Sequence, residues 1–540
     1  MRVGRCNISD AGRSIVVDTR DVVALGDEAV GLGAIHSGVS GAFGYPGTPS
    51  TEIFEYIQNF SLKDGSIHAR WSANEKVGYE EALGMSYAGK RAIVTMKHVG
   101  LNVAADPFMN SGITGAHGGL VLAVADDPGM HSSQNEQDSR YYAQFCLIPC
   151  LEPANQQECY EMTREAFDVS EKFGLPVMLR LVTRLAHSRA NIKVREGRAQ
   201  NPLNVSTDWK QWTLLPANAR VRYKRLVDLQ PALDEWAEGS KWNALELKGK
   251  RGVIAAGIAY NYLLENLDGK HNFSILKMSA YPFPLGKIRQ LAEHCDEILV
   301  LEDGYPFIEN HLAGFFGIPG RNVQGRLTGH VPRTGELTPD LVRLALGFEP
   351  YKGATGAVTD IPGRPPALCK GCPHADTYKA LNEALKSFPD AQVLSDIGCY
   401  TLGALPPYSA IRSCVAMGAS ISMTAGAAHA GVKYICCVIG DSTFTHSGMT
   451  PLIGAAKENV PMTVLILDNS IVAMTGFQET MVSGDELVKL IEGLGVAREH
   501  IVPIIPLPKH HEENVEKIRK EVEYRGLSVI VAQRSCVQLK

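Results

Sequence analysis

The stretch Val438-Ile-Gly-Asp-Ser-Thr-Phe444 and the later stretch Leu465-Ile-Leu-Asp-Asn-Ser470 decide how this chain folds. Each begins as an apolar run and breaks abruptly into polar residues. Buried parallel strands end in this way, and open α/β sheets bind their ligands outside the carboxyl ends of the strands. We therefore predict that Asp441 and Asn469 lie side by side at one edge of a parallel sheet.

These two side chains offer oxygen atoms to a metal ion. A carboxylate, an amide oxygen and a nearby backbone carbonyl, here that of Ile471, are hard donors that suit Mg²⁺ holding a diphosphate. The alternative is that Asp441 and Asn469 act only as turn and helix-cap residues, as Asp and Asn often do at strand ends.

The spacing resembles the thiamine-diphosphate motif, which begins Gly-Asp-Gly and ends about one strand-helix-strand later in Asn-Asn or Asp-Asn. The third position departs from the motif, because Ser442 stands where the motif has Gly. The resemblance implies thiamine diphosphate with Mg²⁺ bound by Asp441, Asn469 and the carbonyl of Ile471. The candidate cofactor contacts around these ligands are Gly440, Ser442, Thr475 and Gly476.

Composition favours a globular enzyme of several domains. The chain has 540 residues, with 45% hydrophobic and 21% charged residues, a net charge of −5 and a pI near 6.4. These values give no basic footprint for nucleic acid, and no apolar run approaches the roughly 18 residues of a membrane span. The first residues, Met1-Arg-Val-Gly-Arg-Cys-Asn, lack the apolar core of a secretory signal, so we expect a cytoplasmic protein.

A helix over residues 74–90, ending at Gly89, is followed by a strand from Arg91 to Met96. This order resembles the pyrimidine-binding domain of thiamine-diphosphate enzymes, in which a Glu opens the helix and hydrogen-bonds the aminopyrimidine ring. The matching position is Glu75. The alternative is a solvated Glu in the first helical turn, favoured by the helix dipole.

Three loops carry candidate substrate contacts, since loops at strand ends carry function more often than their share. The loop 42–50 leads into a helix with Ser50 or Thr51 as N-cap, and Thr48 is expected to contact a substrate carboxylate by similarity to the oxoacid oxidoreductases. His98 and Arg140 lie in two other polar loops, although each could simply be solvated.

The loop sequences are long and unusual. Gly-Tyr-Pro-Gly-Thr-Pro-Ser, His-Val-Gly-Leu-Asn-Val-Ala-Ala-Asp-Pro and Asp-Asp-Pro-Gly-Met-His-Ser-Ser-Gln-Asn-Glu-Gln-Asp resemble the alpha subunit of indolepyruvate ferredoxin oxidoreductase. One feature departs from that family: a ferredoxin-like segment with two Cys-x2-Cys-x2-Cys-x3-Cys-Pro runs is missing from the sequence. We therefore expect one of three explanations. The electrons leave through another chain, the sequence is truncated, or the protein is a divergent relative that uses another electron acceptor.

Seven of the twelve cysteines follow residue 360. Cys-x2-Cys spacing alone suggests zinc or a redox pair about as readily as an iron-sulfur cluster, and Cys436 and Cys437 inside a strand suggest buried structural thiols. In related 2-oxoacid ferredoxin oxidoreductases a four-iron cluster takes two ligands from Cys-Pro-Gly-Cys, one from an Ile-Gly-Cys loop and one after the last strand. Carried over by resemblance, the ligands are Cys369, Cys372, Cys399 and Cys536.

The pattern predicts an α/β fold of several doubly wound parallel-sheet domains of the thiamine-diphosphate-binding type. We expect a pyrimidine-binding domain at 23–192, a linker with a helical excursion at 193–249, a transketolase C-terminal-like domain at 250–350 and a diphosphate-binding domain at 365–540. A Gly- and Pro-rich linker, 351–366, joins the last two.

The resemblance implies oxidative decarboxylation of a 2-oxo acid, indolepyruvate or another arylpyruvate, to acyl-CoA. Electrons would pass through the cluster to ferredoxin or a similar acceptor. Coenzyme A, a smaller oxidoreductase subunit and a second copy of this chain are the expected partners. The alternatives are a thiamine-dependent decarboxylase that releases aldehyde and a non-catalytic scaffold subunit.

Overall fold

The structure, a computed structural model, describes residues 21–206, 208, 210–267, 271–314, 321–351 and 366–539. These residues form two compact units, one before and one after residue 356. The segments predicted as 23–192, 193–249 and 250–350 all belong to the first unit, and their division into separate domains stays a prediction. Most of the predicted linker at 351–366 lies outside the described residues.

The first unit alternates strands and helices. Its strands are β1 (Asp21–Leu25), β2 (Gly41–Gly44), β3 (His68–Ala69), β4 (Ala92–Lys97), β5 (Leu120–Asp126), β6 (Cys150–Leu151), β7 (Val177–Val182), β8 (Arg189–Lys193), β9 (Leu245–Glu246), β10 (Arg251–Ala256), β11 (Phe273–Met278), β12 (Ala280–Tyr281), β13 (Glu297–Leu301) and β14 (Asn322–Gln324). Its helices are α1 (Gly26–His36), α2 (Thr51–Asp64), α3 (Glu75–Tyr87), α4 (His98–Val103), α5 (Ala105–Thr114), α6 (Arg140–Cys146), α7 (Gln156–Phe173), α8 (Thr183–His187), α9 (Pro216–Asp228), α10 (Gln230–Gly239), α11 (Ile258–Asn266), α12 (Leu285–His294), α13 (Phe307–Ala313) and α14 (Pro339–Ala345).

Two sheets organise this unit. The first has the strand order β12-β6-β7-β5-β4-β2-β3, parallel except where β12 pairs with β6. The second has the order β14-β13-β10-β11-β9, with β9 antiparallel. The helical excursion predicted between the sheets is present as α9 and α10.

The second unit contains a sheet with the order β15-β16-β17-β21-β20, whose neighbours all run parallel. Its strands are β15 (Gln392–Ser395), β16 (Ile435–Gly440), β17 (Met462–Asp468), β18 (Ile471–Val472), β19 (Gln478–Glu479), β20 (Ile501–Ile504) and β21 (Leu527–Gln533). Its helices are α15 (Pro373–Leu385), α16 (Ala419–His429), α17 (Asp441–Thr443), α18 (Met449–Glu458), α19 (Gly484–Gly493) and α20 (His511–Glu523).

Both faces of this sheet are covered by helices. Along β16, Cys436 and Val438 join one core with residues of α15 and α20, whereas Cys437 and Ile439 join the opposite core with residues of α16, α18 and α19. Successive side chains of a strand point to opposite faces, so a strand buried on both faces reads as a continuous apolar run. The predicted doubly wound α/β class is therefore confirmed, and Cys436 and Cys437 are buried core thiols.

Candidate functional site

The carboxyl edge of the second unit's sheet brings together the stretches 438–444 and 465–470. β16 and β17 are neighbours, with Gly440 opposite Leu467 in the register. The backbone N–H of Ser470 donates to Asp441 Oδ2 at 2.8 Å. The turn that carries Asn469 therefore folds against the Asp441 carboxylate.

Buried oxygen atoms of like charge meet at this edge. Burial raises the pKa of the Asp441 carboxyl, and the neighbouring Asp468 raises it further, since two carboxylates close together resist ionising together. The amide of Asn469 is also buried; its Oδ1 accepts from the N–H of Ile471 at 3.2 Å, and its Nδ2 lies 3.5 Å from His374 Nε2. A buried carboxylate beside a buried amide offers the hard oxygen atoms that Mg²⁺ prefers.

The flanking candidates surround these ligands in different ways. A Cβ on Gly440 would lie 2.7 Å from a ring carbon of Tyr400, so the backbone passes too close to that ring for a side chain. Ser442 donates to Asp441 Oδ1 through its N–H at 2.6 Å and its hydroxyl at 3.3 Å. Thr475 and the exposed Gly476 lie in the turn between β18 and β19, where the Thr475 hydroxyl donates to Gln478 Oε1 at 2.6 Å.

The four candidate cluster cysteines lie within electrostatic reach of one another. Burial and the nearby Cys372, Cys536 and Cys369 together raise the pKa of Cys399 to about 12. The N–H of Cys536 donates to the carbonyl of Asn469 at 3.1 Å, which ties the last cysteine to the Asp441 edge. Four thiols that act on one another match the four-cysteine shell of an iron-sulfur cluster, which binds them as thiolates.

Glu75 opens α3 in the first unit. Asn74 caps the helix, since its side chain accepts from the N–H of Val77 at 2.9 Å. The Glu75 side chain is 5% exposed and packs against α4, where a Cβ on Gly100 would lie 2.5 Å from Glu75 Oε1. The alternative of a solvated first-turn Glu is therefore wrong, and glycine at position 100 leaves room for this carboxylate.

The loop with Thr48 and the start of α4 follow neighbouring strands, β2 and β4, at the same sheet edge. Thr48 is half-buried, and its carbonyl accepts from the hydroxyl of Ser132 at 3.4 Å. His98 is 1% exposed; its Nε2 contacts the carbonyl of Asn135 at 3.1 Å, whereas Nδ1 has no hydrogen-bond partner among the described residues. His98 is thus buried rather than solvated, with one ring nitrogen free to accept or donate.

Comparison with known families covers both units. Residues 32–213 match the family described as pyruvate flavodoxin/ferredoxin oxidoreductase, thiamine diP-bdg. Residues 396–532 match the thiamine pyrophosphate enzyme, C-terminal TPP binding domain. The chain is 36% identical to indolepyruvate oxidoreductase subunit IorA of Archaeoglobus fulgidus, over 96% of this chain and 87% of that protein.

The chain belongs to the indolepyruvate oxidoreductase subunit IorA family. Its member from Methanothermobacter thermautotrophicus is 37% identical over 95% of this chain and 86% of that protein. The fold is shared with a 2-oxoglutarate:ferredoxin oxidoreductase from Magnetococcus marinus, which was solved with 2-oxoglutarate, coenzyme A and succinyl-CoA bound. The two structures superpose with a TM-score of 0.51 at 17% identity, over 61% of this chain and 65% of that chain. This IorA-family chain is the alpha subunit of a thiamine-diphosphate-dependent 2-oxoacid:ferredoxin oxidoreductase.

Arg140 does not sit where we expected in this IorA-family chain. It is 1% exposed, and its donors are used by Asp138, Tyr281 and the carbonyl of Tyr305. The guanidinium also lies 3.0 Å from Glu302. Because a buried Arg in ion pairs is a structural group, the structure argues against the substrate contact we expected of it.

Lys97 and Asp127 were missed. Burial lowers the pKa of Lys97, whereas Asp127 and Glu75 oppose that shift, so the three groups share one region. The aliphatic part of Lys97 also lines Gly47 in the Thr48 loop. Asp127 accepts from the N–H of Ser132 at 2.9 Å. The available signal was their position, since each directly follows or ends a parallel strand at the carboxyl edge.

Among the described residues, every helix is too short or too polar to cross a bilayer.

Proposed function

We propose that this chain carries out the oxidative decarboxylation of an arylpyruvate, indolepyruvate in the first place, to the corresponding acyl-CoA in the cytoplasm. The observation that carries the proposal is 36% identity to an indolepyruvate oxidoreductase subunit along 96% of the chain. The reaction converts a 2-oxo acid and coenzyme A to acyl-CoA, CO₂, one proton and two electrons. The substrate carbon skeleton is oxidised, and the acceptor is reduced.

Thiamine diphosphate, when bound, supplies the carbon nucleophile and the electron sink for decarboxylation. Glu75 is proposed to hold the aminopyrimidine ring through its buried carboxyl group. Asp441, Asn469 and the carbonyl of Ile471 are proposed to hold Mg²⁺ on the diphosphate. This is supported by the burial of Asp441 next to Asp468 at that sheet edge, where the two like charges oppose each other.

The hydroxyl of Thr48 is proposed to bind the substrate carboxylate. His98 and Lys97, at the end of the neighbouring strand β4, are proposed to contact the substrate from the side. The support is the common sheet edge and the position of the Lys97 side chain along Gly47 of that loop. A lysine cation whose charged form is already weakened by burial is well placed to pair with an incoming anion.

The two electrons are proposed to leave through a four-iron cluster on Cys369, Cys372, Cys399 and Cys536, to ferredoxin. The relatives are each named as a subunit, which supports a partner chain. We propose that this partner is a smaller subunit and that two copies of this chain join it. Coenzyme A as acyl acceptor is supported by its presence in the 2-oxoglutarate:ferredoxin oxidoreductase of similar fold.

The substrate is tested by turnover on a panel of aryl and aliphatic 2-oxo acids, with and without coenzyme A, using a viologen dye as acceptor. We expect the highest kcat/KM with arylpyruvates and dye reduction that requires coenzyme A. A preference for aliphatic acids would refute the substrate. Dye-independent release of aldehyde would refute the oxidative reaction.

The metal site is tested by Asp441→Asn. We expect the Mg²⁺-dependent affinity for thiamine diphosphate to fall by at least about 100-fold. Substitution of residues that only hydrogen-bond to metal ligands already lowers metal affinity by up to about 100-fold, and Asp441 is proposed as a direct ligand. The raised pKa of Asp441 means that the free protein holds a proton there to a higher pH than an ordinary Asp does. Mg²⁺ must displace this proton, so affinity should fall by up to about tenfold per pH unit as pH is lowered.

The control is Asp485→Asn, which makes the same change on the exposed face of α19. Titration of the cofactor at several pH values, followed by fluorescence quenching, measures both effects. The same affinity and pH dependence in the two variants would remove Asp441 from the metal site.

A further inference from the structure

A buried carboxylate in the first unit is left without a partner. Asp27, in the first turn of α1, is fully buried, and both of its side-chain oxygens have no hydrogen-bond partner among the described residues. Burial raises its pKa well above the usual range, and Glu52 and Glu28 raise it further. A polar group left unpaired in this way costs stability unless something else satisfies it.

Two other metal-ligating side chains face this carboxylate. Glu52 in the first turn of α2 and His187 at the end of α8 each place one ligand atom so that these atoms and an oxygen of Asp27 all lie within 4.8 Å of one another. Glu52 Oε2 is 3.6 Å from His187 Nε2. Ligand atoms at about 2.1 Å from a tetrahedral zinc ion are about 3.4 Å apart, so this separation is close to one edge of such a shell.

The backbone brings the three residues together by close helix packing. A Cβ on Gly26 would lie 2.2 Å from the carbonyl oxygen of Leu185, so glycine there lets the start of α1 touch α8. Helix α1 also packs against α2, which brings Glu52 close to Asp27. The starts of α1 and α2 thus meet the end of α8, which lies more than 100 residues later in the chain.

The local charge calls for a cation. Glu52 and Glu28 act on Asp27, Glu52 pairs with His187, and Asp127, which also faces Lys97, acts on His187. Glu28 is not counted as a metal ligand, because its Oε2 accepts a hydrogen bond from the N–H of Leu25 at 2.8 Å. The side chains of Glu52 and His187 are 38% and 35% exposed, so this side of the group borders solvent, whereas Asp27 is fully buried.

We infer that Asp27, Glu52 and His187 form a binding site for a divalent transition-metal ion, zinc by its donor set, distinct from the proposed Mg²⁺ and iron-sulfur sites. Imidazole nitrogen with two carboxylates suits zinc, and three protein ligands leave one position for water on the exposed side. The ion joins the starts of α1 and α2 to the end of α8. The inference does not depend on the proposed substrate.

The test measures zinc binding by the full chain after removal of metals with a chelator. Four clustered thiols can also take up zinc. The informative quantity is therefore the difference in zinc bound between wild type and variants. Asp27→Asn keeps the shape of the side chain and removes the buried charge, and His187→Gln changes a partly exposed residue, so both variants should fold. Asp64→Asn, at the other end of α2, is the matched control.

We expect wild type and Asp64→Asn to bind one more equivalent of zinc than either Asp27→Asn or His187→Gln. The thermal midpoint should rise with that equivalent in the first two proteins alone. In metal-free protein, Asp27→Asn should unfold at a higher temperature than wild type. Equal stoichiometry and affinity in all four proteins would show a protonated Asp27 instead, and loss in only one of the two variants would refute the three-residue set.

Discussion

Replacing Glu75 by Gln lowers turnover by at least about 100-fold while thiamine diphosphate remains bound. The amide keeps the size and the hydrogen-bonding capacity of the side chain but cannot share a proton with the ring, and positioned acid–base groups contribute about 10²- to 10⁴-fold. The carboxylate is 5% exposed at the start of α3, so bulk water cannot readily replace it. The measurement is kcat with the viologen assay beside cofactor affinity by fluorescence titration.

The control for this prediction is Glu80→Gln on the same helix, where the carboxylate is exposed and pairs with Lys76. We expect it to retain turnover, because exposed ion pairs contribute little. A second pair tests position: Gly100→Ala places a methyl group against Glu75, whereas Gly84→Ala on α3 meets nothing within 4 Å. Full activity of Glu75→Gln in the assembled enzyme would instead support a scaffold subunit.

The strands of both units could be predicted from the sequence because their burial on two faces leaves a local pattern. The strand predicted from Arg91 to Met96 is β4, shifted by one residue to Ala92–Lys97. The pairing of Asp441 with the Asn469 turn also followed, since neighbouring parallel strands end at the same edge.

Arg140 and Asp27 show what the local pattern could not give. Arg140 stands in a polar loop sequence that looks solvated, yet it pairs with Glu302, far along the chain. Asp27 looks like an ordinary first-turn acid, favoured by the helix dipole, until α2 and α8 pack against it. Long-range packing of this kind decides which polar residues are buried, and it leaves no periodic signal in the sequence.

Replacing Cys372 by Ala is expected to abolish viologen reduction and remove the cluster iron, while CO₂ is still released with aldehyde as product. Cys372 is buried beside Cys369 and Cys536, and loss of one thiolate opens the four-cysteine shell. Decarboxylation itself needs Glu75 and the metal site, not the cysteines, so the two half-reactions should separate.

The matched control is Cys414→Ala, since Cys414 is an exposed thiol of the same unit outside the quartet. Iron content, visible absorption, dye reduction and aldehyde formation are measured for wild type and both variants. We expect Cys414→Ala to match wild type in all four, because its thiol is not among the groups that act on Cys372 or Cys399. A colourless, iron-free wild type that still turns over would refute the cluster and favour the aldehyde-releasing decarboxylase. Equal dye reduction in Cys372→Ala and Cys414→Ala would also refute the cluster.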